Sequence, residues 1–141
     1  DCLLSRGLGD VYKRQIQRVL TPGGKLICST YGKKHMQEVS RLVRDFDDRI
    51  VLSADKLYER FGRENGADIL APYFSRIFWE SYKDSLLVPD AEPLISYILS
   101  CHGNQNQYLL DKYKDFRGFV SRKTKDGFFI TKDAGIFLCE K

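Results

Sequence analysis

Apolar residues along the chain follow two spacings, one suited to helices and one to strands. Between positions 34 and 47, Met36, Val39, Leu42, Val43 and Phe46 recur at intervals of three and four and so share one helical face. Leu109, Tyr113, Phe116 and Val120 repeat that pattern and predict one long helix over 107–123. Leu94, Tyr97, Ile98 and Cys101 predict another, with Asp90 as its N-cap and Pro93 tolerated in its first turn, until HGNQNQ at 102–107 breaks it. Leu57 and Phe61 mark a short helix that Ser53 can cap. Ile69, Leu70, Tyr73 and Phe74 face inward from a helix that is short or begins late, because Pro72 inside it would cost ~3 kcal/mol.

Three segments read as extended. KLICST at 25–30, beginning at Lys25, is apolar without clear alternation, as in a strand buried on both faces of an α/β sheet. SRIFWESYKDSLLV at 75–88 is rich in aromatic residues and predicts a second strand. GFFITKDAGIFLCEK at 127–141 holds two apolar runs around TKDAG and predicts a hairpin-like end whose last strand, 136–140, enters the sheet. Before the first strand, Pro22 presets φ and Gly23 supplies a positive φ, the chemistry of a type II turn that ends a helix carrying Ile16 and Leu20.

The opening residues are a separate matter. SRGLGD lacks the Gly-Lys-Ser/Thr ending of a phosphate loop and the third spaced glycine of a dinucleotide loop, and Cys2, Leu3 and Leu4 are too short an apolar run for a secretory signal. SRGLGDVYKRQ, from Ser5 to Gln15, instead matches without a gap one reading frame of a transposon-type sequencing adapter. Residues 1–15 are therefore expected to be non-native, and 16–141 to carry the protein.

Composition narrows the class of that remainder. With 43% hydrophobic and 30% charged residues the chain is globular, and no apolar run approaches the ~20 residues of a membrane span. The formal charge of +4 loses one unit without residues 1–15, and acidic residues interleave with the basic ones, so no nucleic-acid stripe forms. Four cysteines without a CxxC pair predict buried thiols in a reducing cytoplasm, with neither a metal site nor a disulfide framework.

RVLTPGGKLICST resembles the segment of class I S-adenosylmethionine-dependent methyltransferases that closes the fourth helix and forms the fifth strand. STYGKKHMQEV, RFGRENGADIL, SYKDSLLVPDAEPLISYILS and ITKDAGIFLCEK resemble one bacterial branch of small-molecule-type (type 11-like) enzymes, so the likeness covers nearly all of 16–141 and departs at Gly62 and Pro72. The resemblance implies an α/β fold: the C-terminal part of a Rossmann-like sheet, strands five, six and seven in the spatial order five-seven-six, the last antiparallel, with flanking helices. It further implies a parent enzyme that transfers a methyl group from S-adenosylmethionine to a small-molecule acceptor. The glycine-rich cofactor loop after strand one has no counterpart in 16–141, so this stretch is expected to hold no cofactor-binding residue and to be inactive alone. Without a fourth strand beside it, the 25–30 strand would present an apolar edge open to self-association.

Ligands of open α/β sheets bind beyond the carboxyl ends of the strands. That directs attention to Thr30, Tyr31 and His35 after the first strand, with His35 as the candidate general base or acceptor-orienting group and Tyr31 as a pocket wall. Glu64 and Asn65 are candidate lid residues, although Glu-Asn-Gly is equally turn and cap chemistry. Tyr82, Asp84 and His102 read as structural. An alternative of another class, a non-catalytic module for an acidic partner or RNA, rests on Lys33, Lys34 and the lysines of 112–125, among which Asp111, Asp115 and Asp126 are interspersed.

Overall fold

A computed structural model describes residues 10–52 and 56–141; Ser53, the expected helix cap, lies outside them. The elements run α1 (Asp10–Val19), β1 (Lys25–Tyr31), α2 (Gln37–Phe46), α3 (Leu57–Arg60), α4 (Gly66–Leu70), β2 (Arg76–Val88), α5 (Ala91–Ser100), α6 (Gln105–Leu109), α7 (Tyr113–Thr124) and β3 (Phe128–Glu140). The fold is mixed α/β, with one three-stranded antiparallel sheet in the order β1-β3-β2 and flanking helices. The last strand in sequence thus lies between the other two. Among the described residues no helix is long and apolar enough to cross a membrane.

The chain divides into two compact units, one of residues 10–35, 56–83 and 133–141, the other of 36–52 and 84–132. In the first, α1 ends at a turn in which Gly24 N donates to Thr21 O at 2.8 Å and Gly23 has φ 73°, the type II geometry that Pro22 and Gly23 encode. β1 then pairs with β3 from Lys25↔Glu140 to Tyr31↔Ala134. Phe137 and Cys139 are buried with Leu70 and Phe74, and Leu26, Cys28, Phe61, Ile77 and Trp79 pack around them. The helix α4 stops before Pro72, where sequence alone left its limits open.

The folded chain departs from four expectations. The strand β1 is covered on one face only: Leu26, Cys28 and Thr30 are half-buried while Ile27 is 64% exposed, because among the described residues no element covers its other face. The hairpin expected at TKDAG is absent, and β3 runs unbroken through it. Gly135 allows this, since a Cβ there would collide with Glu80 O and the Trp79 ring; the glycine marks a close approach of strands rather than a turn. The helix expected from residue 34 starts at Gln37, because Met36 adopts φ 54° and its N–H is spent on Thr131 O at 2.9 Å. The long helix expected over 107–123 is two, α6 and α7, separated by a turn closed by Lys112 N donating to Leu109 O at 3.1 Å. No glycine or proline marks that break.

The second unit buries Val39, Leu42 and Val43 of α2 with Leu94, Ile95 and Ile98 of α5, and with Leu109, Phe116, Val120 and Ile130. Asp90 Oδ1 caps α5 by accepting from Glu92 N at 3.1 Å. Asn104 fastens 49–52 by accepting from Val51 N at 2.7 Å and donating to Arg49 O at 2.9 Å. Glu38 reaches Thr131, accepting from its Oγ1 at 2.7 Å and its N–H at 3.1 Å. Burial pushes that carboxyl up, but the Thr131 bonds outweigh it and hold it below the usual carboxylate range.

Two measurements check this architecture. Gly32 N donates to Asp133 O and Lys141 N to Gly24 O, so in this register the backbone N–H groups of even-numbered β1 residues face β3 and those of odd-numbered ones face the open edge. In a monomeric sample the amides of Leu26, Cys28 and Thr30 should therefore exchange slowly and those of Ile27 and Ser29 fast; protection at Ile27 and Ser29 that rises with protein concentration would reveal self-association through this edge. Phe137→Ala, which empties the centre of the first core, should destabilise the fold by about 3–5 kcal/mol in urea unfolding.

Candidate functional site

The loop that follows β1 is held by backbone donors and acidic side chains. Gly32 N donates to Asp133 O at 2.8 Å and His35 N to Gly32 O at 3.1 Å, which folds 32–35 into a turn. Lys33 N donates to Glu64 Oε1 at 3.0 Å and Lys34 N to Asp133 Oδ2 at 3.2 Å. Arg63 bridges back, its guanidinium 3.2 Å from Asp133 Oδ1 and its N–H donating to Tyr31 O at 3.2 Å. Position 32 has to be glycine for this clasp, since a Cβ there would occupy the place of the Asp133 carboxylate.

Four of the five residues singled out from sequence meet around this loop. Tyr31 and His35 stack, ring centroids 4.9 Å apart at 20°. Burial raises the Tyr31 phenol above its ordinary value, so it is a protonated donor near neutral pH. Thr30 Oγ1 donates to Phe61 O at 2.7 Å and is engaged in fixing the strand end. The carboxylate of Glu64 serves as acceptor for the loop backbone. Asn65 does not join them: its Oδ1 accepts from Gly62 N at 2.7 Å and its Nδ2 donates to Glu59 O at 2.7 Å, closing the turn between α3 and α4. The turn chemistry of Glu-Asn-Gly therefore accounts for Asn65, whereas the bond of Glu64 is long-range, to Lys33 N.

Asp133 and Arg63 escaped the sequence reading. Asp133 sits in TKDAG, taken for a turn, where an acidic residue is unremarkable; inside a strand and directly before the loop's partner backbone it becomes the main acceptor of the site. Tyr82 is exposed on β2, Asp84 within the same strand accepts from the N–H of the next residue, Ser85, at 2.8 Å, and His102 is exposed beyond the end of α5. Among the described residues no three His, Cys, Asp or Glu side chains converge as metal ligands. No family model matches the chain, and no curated protein does either.

Beneath the loop, Cys28 and Cys139 lie on the same face of adjacent strands as diagonal neighbours, two residues out of register. Burial, reinforced by the neighbouring Cys139, pushes the Cys28 thiol from 9.0 up to about 11, and burial raises Cys139 as well. The folded chain thus keeps protons that the unfolded chain releases. The thiols' contribution to stability should be fully present below pH 9 and be lost between 9 and about 11, with Tyr31 adding to the loss in the same direction. Urea midpoints measured across that interval check the sign, and Cys28→Ser should flatten the curve.

Proposed function

We propose that 16–141 is the C-terminal half of a class I S-adenosylmethionine-dependent methyltransferase domain of Rossmann-like fold, whose parent enzyme methylates a small molecule in the cytoplasm. The strand order carries this reading. A chain of three strands with helical connections would most simply place neighbours in sequence beside one another, yet here β3 inserts between β1 and β2 and runs antiparallel to β1. That is the five-seven-six arrangement which the RVLTPGGKL resemblance implies. The turn at Thr21–Gly24 and the loop beyond the carboxyl end of β1 support it further.

In this reading Tyr31 and His35 border the methyl acceptor, the phenol as hydrogen-bond donor and the imidazole as the group that orients or deprotonates the nucleophile. Glu64, Asp133 and Arg63 position the loop that presents them. The described residues do not fit S-adenosylmethionine itself. The N–H groups of 32–35 are spent on Glu64, Asp133 and the loop's own carbonyl, the Gly32 face is filled by a carboxylate, and no glycine-rich loop follows another strand. The second reading, a module for acidic partners or RNA, has weaker support: Lys112, Arg117 and Lys123 pair with Asp47, Glu92 and Asp45 of the same unit.

The genomic DNA upstream of the Ile16 codon tests the reading. It should encode a strand followed by a glycine-rich loop and, after a second strand, an acidic residue; the chain completed in this way should bind S-adenosylmethionine by calorimetry, while 1–141 alone gives no heat. An upstream frame without these features would sink the assignment.

A further inference from the structure

Asn65 is followed by glycine, the only Asn-Gly step in the chain, since Asn104 and Asn106 both precede glutamine. A glycine nitrogen is the least hindered nucleophile that can follow an asparagine, because no side chain shields it. In the folded chain that nitrogen is occupied, donating to Gly62 O at 2.8 Å. The asparagine carboxamide is held at both ends, accepting from Gly62 N and donating to Glu59 O, each at 2.7 Å. Gly66 itself is buried so closely against Phe137 that a Cβ would collide with the ring. The reacting atoms are thus both present and locked.

We propose that Asn65 is a latent deamidation site whose reaction is gated by opening of the 59–66 turn from the core. The reaction needs water alone as co-reactant. The Gly66 nitrogen bonds to Asn65 Cγ and loses its proton, the Cγ–Nδ2 bond breaks, and that nitrogen leaves as ammonia. Water then adds to a carbonyl of the succinimide, and the C–N bond that breaks returns a proton to nitrogen, leaving aspartate or isoaspartate. Either product removes the donor to Glu59 O and sets a second carboxylate beside Glu64. Isoaspartate also lengthens the backbone between 65 and 66, directly after the residue that holds Lys33 N. Ageing at this one step therefore loosens the clasp of the loop after β1.

The whole 141-residue chain, incubated in mildly alkaline buffer with and without denaturing urea, supplies the test. Trypsin releases 64–76 with Asn65 as its sole asparagine, and mass spectrometry follows the amide-to-acid gain in that peptide. Conversion should be slower in the folded chain by a factor of about ten or more, and that factor should equal the hydrogen-exchange protection of the Gly66 amide, since both require the same opening. Gly62→Ala, whose Cβ would collide with Tyr58 O, should bring the native rate towards the denatured one and lower the Gly66 protection in step. Equal rates in buffer and urea, or a native rate that does not follow Gly66 protection, would overturn the proposal.

Discussion

The first unit depends on one strand, β3, which serves three partners with different parts of its surface. Its backbone on one side pairs with β1 from Glu140 to Ala134, and its side chains Phe137 and Cys139 are the buried centre of the core. Its carboxylate at Asp133 holds the loop that β1 leads into. An antiparallel ladder makes these roles compatible, because backbone bonds lie in the sheet plane while successive side chains leave it in opposite directions. Change the register by one residue and Phe137 turns to the open face, Asp133 leaves the loop, and both core and site are lost together. The tight passage of Gly135 against Trp79 and Glu80 opposes such a slip, since every other residue type would be too wide there.

What was legible from sequence follows from how local each determinant is. The turn at Pro22 and Gly23, the strand at Arg76–Val88 and the Asp90 cap are each encoded within a few residues, and each stands where pattern and turn chemistry put it. The continuity of β3 was not legible, because Lys132, Asp133 and Gly135 carry turn preferences that a neighbouring strand overrides. The start of α2 was hidden for the same reason: the bond from Met36 N to Thr131 O joins residues far apart in sequence. The one-sided burial of β1 depends on what surrounds the strand, which the composition of KLICST does not report. At the site, pattern found the loop and its rings. It missed Asp133, whose role exists only because β3 passes beside β1.

That division also explains why the acidic residues near the loop act as they do. An isolated carboxylate at a strand end gains little from a solvent-exposed lysine or arginine, and the Arg63–Asp133 pair, with its half-exposed arginine, contributes modestly on its own. The same carboxylate also faces the loop backbone, where it accepts from the exposed N–H of Lys34. Because Lys33 and Lys34 are exposed, water would serve their N–H groups if the carboxylates were absent, so the acceptors matter through the loop conformation they select more than through the energy they add. Glu64 and Asp133 each satisfy one such donor, from different segments, so the conformation of 32–35 is fixed from two sides at once. A loop restrained in this way holds Tyr31 and His35 stacked, with ring centroids 4.9 Å apart.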